Sequence, residues 1–203
     1  MNTRLLLLLG SLCAFPVAAE VYVAPFGGYS FGASEFDIST SASDESGKGK
    51  LAESEHYGLM LGITTKDPGN VYLLYSHQAT DLRAGDNFSP DVLTSMDVDY
   101  FHVGGSLYFP NKSIKPYVTT SVGLTHMRPG GGYANETRFS MAIGGGIAYQ
   151  ASQSLALFAE VKGYATFINA DNALFCDAGG CLWNIQADIM WQGQANIGAS
   201  FAF

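Results

Sequence analysis

Beyond residue 20 the chain has no run of the ~18 uninterrupted apolar residues that a membrane-spanning helix requires, which excludes a helical membrane protein. Helical periodicity is missing there as well, so no helix stands ready to cover the apolar face of a sheet. Basic side chains are few: 10 Lys and Arg face 18 Asp and Glu, a formal net charge of −8. That sign excludes nucleic acid as a partner and argues against general electrostatic adhesion to anionic lipid. Cysteine is nearly absent, with only Cys13, Cys176 and Cys181.

What is present begins with M-N-T-R-L-L-L-L-L-G-S-L-C-A-F-P-V-A-A-E. One positive charge at Arg4, an apolar stretch from Leu5 to Leu12 and the small residues Val17 to Ala19 form the three parts of a secretory signal peptide. Residues 1–19 are therefore expected to be removed by cleavage between Ala19 and Glu20, leaving 20–203 as a single domain. The apolar stretch is shorter than the ~17–25 residues of a spanning helix. Leu12 is too large, directly before Cys13, for a lipid-attachment signal. Loss of Arg4 leaves nine basic against 18 acidic residues. Export also gives the cysteines a reading. Cys176 and Cys181 in F-C-D-A-G-G-C-L are an even pair in an oxidising compartment, expected to form a disulfide across a Gly-rich turn. No His stands near them in sequence, so a metal site would lack two ligands.

From residue 20 onward, segments of alternating character are separated by connections that are alternately long and short. Strands are expected at about 20–33, 55–66, 71–79, 97–109, 115–127, 136–150, 155–168 and 184–203. D-P-G-N at 67–70, P-N-K-S at 110–113 and A-S-Q-S at 151–154 are short turns. Residues 34–54, 80–96, 128–135 and 169–183 read as long loops, the first as a mobile one. The last strand alternates most clearly. Ile189, Trp191, Ala195, Ile197, Ala199, Phe201 and Phe203 share one face, and Gln192, Gln194, Asn196 and Ser200 the other.

A soluble sheet can alternate in the same way. Here, however, the non-apolar faces carry Gln, Asn, Ser, Thr and Gly in place of the Lys and Glu of a water-exposed sheet. Closure solves the problem of the uncovered apolar face. Eight strands of about ten residues suit a transmembrane barrel, with aliphatic side chains toward lipid and a narrow polar interior. The expected fold is all-β, an eight-stranded antiparallel transmembrane β-barrel in an up-and-down meander. Tyr57, Tyr108, Phe109, Tyr149, Phe167 and Phe203, near strand ends, suit interfacial aromatic girdles.

The segment A-S-F-A-F, with Phe201 and Phe203 two apart, resembles the C-terminal strand signal of small outer-membrane β-barrels of Gram-negative bacteria. K-P-Y-V-T-T-S-V-G-L at 115–124 resembles a strand start common in that class, which includes the OmpA transmembrane domain and OmpX. The resemblance implies location in the outer membrane. It also implies recognition of Phe201 and Phe203 by the outer-membrane assembly machinery, and contact with outer-membrane lipid and lipopolysaccharide. The expected state is a monomer.

Parity sends Arg138, Glu160, Lys162, Asp188 and His56 inward, with Glu136 toward the outer end. Charges in a narrow cylinder need partners, so Arg138 and Lys162 are expected to form a lumen network with Glu160 and Asp188. Acidic loops, with Glu35, Asp37, Asp44, Glu45 and Glu53 in the first and Asp81, Asp86 and Asp91 in the second, could bridge to lipopolysaccharide through divalent cations. No spaced calcium-binding loop is present. Ser76 and His77 are adjacent and point to opposite faces, so they cannot pair on one strand. His126, with Asp97 and Asp99 on another strand near the outer rim, is the best candidate for catalysis. The expected function is structural or surface-interacting, with no catalytic residue, cofactor or metal assigned and the extracellular ligand open. A narrow pore for small solutes, or a lipid- or peptide-processing enzyme at the outer rim, are the alternatives.

Overall fold

The computed structural model describes residues 20–32, 36–39, 46–65, 68–84, 92–109, 113–131, 133–168, 173–177, 180–185 and 189–203. The expected leader, 1–19, lies outside them. Twelve strand segments follow in chain order. Eight build the wall: β1 (Val21–Gly32), β4 (Ser54–Thr64), β5 (Gly69–Ala84), β6 (Val92–Tyr108), β7 (Ile114–Pro129), β8 (Glu136–Gln150), β9 (Leu155–Phe167) and β12 (Ile189–Ala202). The other four are short: β2 (Phe36–Ser39), β3 (Ser46–Leu51), β10 (Ala173–Asp177) and β11 (Gly180–Ile185).

Each wall strand pairs antiparallel with its neighbours in the chain-order series β1, β4, β5, β6, β7, β8, β9, β12. The series then closes on itself, because β1 pairs with β12 from Tyr22↔Ala202 to Gly32↔Gln192. The result is a closed eight-stranded up-and-down barrel. The first wall strand begins and the last one ends at the short-turn end, where Phe203 N–H donates to the Val21 carbonyl at 2.9 Å and Ala202 N–H to that of Ser154 at 2.9 Å.

Large apolar residues on the wall face outward, Ile197 at 70% and Ile143 at 69% exposure among them. A water-soluble surface does not leave such a continuous apolar coat uncovered. The exterior is solvated by lipid, and closure satisfies every ladder hydrogen bond that lipid could not.

Two strand limits differ from the sequence expectation. β5 runs on to Ala84 and β6 starts at Val92, pairing from Ala79↔Asp97 to Arg83↔Val92, where a loop over 80–96 was expected. Leu82 and Met96 still point inward and are buried. The outward positions turn polar there because the strands have left the lipid, so polarity was no sign of a loop. The first long loop also carries structure. β3 pairs with β5 at Leu51↔Leu82, β2 with β3, and β2 with β11 at Ile38↔Ile185. The first and last long connections are thereby joined.

The wall also depends on close backbone approach. A Cβ on Gly123 would run into the Phe101 carbonyl oxygen and the His102 Cα, so only glycine fits. The wild-type protein is expected to give a β-type circular dichroism spectrum in detergent and heat-modifiable gel migration. Gly123→Val should lower the urea midpoint of that folded form by the equivalent of about 1–3 kcal/mol, the usual cost of overpacking, or prevent folding.

Candidate functional site

Eight strands enclose a space just wide enough for side chains, and the inward positions fill it in three levels. At the short-turn end a cavity of about 680 Å³ is lined by Tyr22, Asn70, Tyr108, Lys115, Tyr117 and Glu160, among others. Its inner limit is an ion pair. Lys162 Nζ lies 2.9 Å from Glu160 Oε1, with the two side chains only 1% and 3% exposed. Lys162 also stands 5.4 Å from the centroid of the Tyr72 ring.

A pair so deep needs its remaining polar valences met; those of Glu160 are, while Lys162 Nζ has no hydrogen-bond partner among the described residues and is held by charge alone. Tyr117 donates its hydroxyl to Glu160 Oε2 at 3.3 Å, and Asn196 Nδ2 donates to Oε1 at 3.1 Å. Asn196 Oδ1 meets His56 Nε2 at 2.5 Å, and His56 Nδ1 meets Ser30 Oγ at 2.8 Å. This chain of contacts links β4, β1, β12 and β9, and so fastens the closing seam from inside.

Above it a second set of hydrogen bonds crosses the lumen. Tyr100 donates to Gln192 Oε1 at 2.5 Å, Gln192 to Gln78 Oε1 at 2.6 Å, and Gln78 to Ser54 Oγ at 2.7 Å. The Tyr100 and Tyr164 rings lie 4.1 Å apart between centroids. His102 bridges Ser121 at 2.9 Å and Ser140 at 2.8 Å. The long-loop end is closed by apolar side chains, with Leu51, Leu82, Met96, Val98, Met127 and Met190 all buried in the core cluster.

The expected interior charges divide by height. Lys162 and Glu160 meet. Arg138 pairs with Glu136 on its own strand at 3.1 Å. Glu160 is level with Gly146 on β8, eight residues along from Arg138, or roughly 26 Å at ~3.3 Å per residue. Arg138 and Glu160 therefore do not touch, and Asp188 lies outside the described residues. Cys176 and Cys181 are direct register partners across the β10–β11 pair. Phe201 and Phe203 are exposed on the outer wall.

Tyr108 does not join the aromatic girdle. It faces inward, where Asn70 Nδ2 donates to its hydroxyl at 3.0 Å; Phe109, its neighbour, takes the outward side, as alternation requires. The rim histidine also differs from expectation. Asp99 holds His77, at 2.7 Å, while His126 Nδ1 bonds Thr137 Oγ1 at 2.8 Å. Sequence reading passed over His77 because it was tested only against Ser76. Tyr100, His102 and Tyr164 were passed over too, although Phe101 and Val103 facing outward would have placed the first two inside. Among the described residues, no three His, Cys, Asp or Glu side chains are placed to hold a metal ion.

A closed meander with an apolar coat and a polar, packed interior defines a small transmembrane β-barrel. The chain belongs to the outer membrane protein β-barrel domain family, whose match spans residues 5–203. No curated protein matches it significantly. Solved structures share the fold at low identity. Neisserial surface protein A is 13% identical, with 90% of this chain and 97% of that one covered and a TM-score of 0.59. OprG from Pseudomonas aeruginosa is 12% identical, with 92% and 97% covered and a TM-score of 0.61. The N-terminal barrel of Pseudomonas aeruginosa OprF is 13% identical, with 91% and 97% covered and a TM-score of 0.52.

The Lys162–Glu160 pair gives the interior a measurable signature. Lys162→Met leaves a buried carboxylate without its cation and is expected to cost about 3–5 kcal/mol in urea unfolding from detergent. Adding Glu160→Gln should recover most of that loss, since a neutral amide needs no counter-charge.

Proposed function

We propose that the protein is a monomeric structural and surface-interaction barrel of the Gram-negative outer membrane, exported by its leader and sealed against solute flow. The observation that carries the reading is the lumen. A hydrogen-bonded belt from Tyr100 to Ser54 and an apolar closure around Leu82, Met96 and Val98 lie in series across it. A pore would need both to move aside. Interior charges, Arg138, Glu160, Lys162 and Asp188 among them, serve to fix register and packing. The outward Phe201 and Phe203 carry the signal for the assembly machinery, and the apolar coat meets lipid and lipopolysaccharide.

The surface-interaction half of the reading rests on the long-loop end, where β2 and β11 join two separate connections. We place a disulfide between Cys176 and Cys181 there. Direct cross-strand partners have Cα atoms ~4.5–5.5 Å apart, within the ~4.4–6.8 Å that a disulfide spans. A ring this short stiffens the connection more than it stabilises the barrel.

Planar-bilayer recording of the folded protein is expected to show no stable conductance; sustained single-channel steps would establish the pore instead. Intact mass after thiol blocking of freshly isolated outer membranes should show no label on Cys176 or Cys181. Labelling of both rejects the disulfide.

A further inference from the structure

A polar group interrupts the lipid-facing wall. Tyr57, His77, Asp99, His126 and Thr137 are successive cross-strand partners on β4, β5, β6, β7 and β8. Their parity is that of the outward residues. One outward position nearer the short turns, the corresponding row is Leu59, Tyr75, Phe101, Leu124 and Phe139, an apolar and aromatic band.

Asp99 organises the polar row. Its Oδ1 accepts from the Tyr75 hydroxyl at 2.9 Å and from His77 Nδ1 at 2.7 Å, and its Oδ2 lies 2.7 Å from the Arg128 guanidinium. A carboxylate only accepts, so His77 Nδ1 is the donor in that bond. With Nδ1 of His126 on Thr137, neither imidazole Nε2 has a hydrogen-bond partner among the described residues. Asp99 itself is only 5% exposed, while Arg128 is 41% exposed and Asp97, 3.7 Å from that guanidinium, 45%.

Height decides what this face meets. Asp99 is nine residues from Tyr108, the short-turn end of β6. At ~3.3 Å per residue and a tilt of ~40°, that is roughly 23 Å of rise, against an apolar band ~25 Å tall. The row therefore stands where acyl chains give way to headgroups. Charge on the wall is costly at mid-depth and nearly free at this level, so the cluster is tolerated here and not deeper.

We propose that the cluster docks the phosphorylated sugar headgroup of an outer-leaflet glycolipid. With Asp99 enclosed by its three donors, the groups left facing outward are a guanidinium, a half-exposed carboxylate and two imidazole edges. Arg128 donates to a phosphate oxygen, as a guanidinium does well. Asp97 accepts from sugar hydroxyls, and the exposed Tyr57 ring offers a flat face to the sugar. Phe101, Leu124 and Phe139 meet the acyl chains directly below. Local donor and acceptor placement, and not the acidic net charge of the chain, makes the match. Capsule-like free sugars lack the acyl chains for this position, and phospholipids such as phosphatidylglycerol lack the sugar ring for the exposed Tyr57 face.

This inference rests on the outer-membrane placement proposed above, which membrane fractionation of the wild-type protein tests separately. A barrel found in the outer membrane without glycolipid binding sinks the site alone. The site is tested by native mass spectrometry of the folded protein in detergent, titrated with deep-rough lipopolysaccharide. The wild type is expected to retain one glycolipid, and both Arg128→Gln and His126→Gln to reduce the bound fraction at least fivefold. Dephosphorylated glycolipid and phosphatidylglycerol should each bind as weakly as the variants. Removing Arg128 strips Asp99 of its cation, so if that variant does not fold, as judged by heat-modifiable migration, His126→Gln decides, since His126 does not bond Asp99. Equal retention by wild type and His126→Gln overturns the proposal, as does equal binding of the dephosphorylated lipid or of phosphatidylglycerol.

Discussion

The hydrogen bonds between β1 and β12 are the constraint on which the rest depends. A sheet in lipid has no water to satisfy its edge, and each unpaired backbone group there costs several kcal/mol. Seven antiparallel pairings could form an open sheet; the eighth, from Tyr22↔Ala202 to Gly32↔Gln192, removes both edges at once. Everything on the inside is then subject to the volume that an eight-membered ring leaves. Gly123 is held to a hydrogen side chain by the neighbouring backbone, and polar side chains must find partners across a few ångströms. The chain from Ser30 through His56 and Asn196 to Glu160 shows closure and interior satisfaction acting on the same four strands.

The interior is accordingly specific. A buried ion pair is weak support for stability against an apolar alternative. Its use in a barrel lies elsewhere. A one-residue slip of β9, which carries both residues, would turn Lys162 and Glu160 toward lipid together, so the pair penalises wrong register of that strand heavily. The polar belt at Tyr100, Gln192 and Gln78 acts in the same sense, since each amide has its partner on a different strand only in this alignment.

Alternation made the fold class and most strand faces readable in the sequence. Period two tells inside from outside, and the inward placement of His56, Glu160 and Lys162 follows from it directly. It carries no information on height. Arg138 and Glu160 share the interior yet stand eight positions apart along the β8 register, which is why Arg138 finds Glu136 on its own strand. Polarity misled in a related way at 80–96. Outside the bilayer a strand is free to present Asp81 and Arg83 outward while Leu82 remains in the core, so its hydropathy fades before its ladder ends. The wall cluster was half visible: Asp97, Asp99 and His126 lay on outward faces near the rim. The pairing of Asp99 with His77 depended on the register between β5 and β6, and Arg128 drew no notice because its position was read as loop.

The pairing of β2 with β11 sits above the closing seam, because β2 follows β1 and β11 precedes β12 in the chain. Its two halves come from opposite ends of the sequence, as do the first and last wall strands that meet at the seam. The contact therefore records topology. A binder whose footprint needs both segments side by side would ignore the unassembled polypeptide, and would count only chains in which the two ends of the sequence have come together.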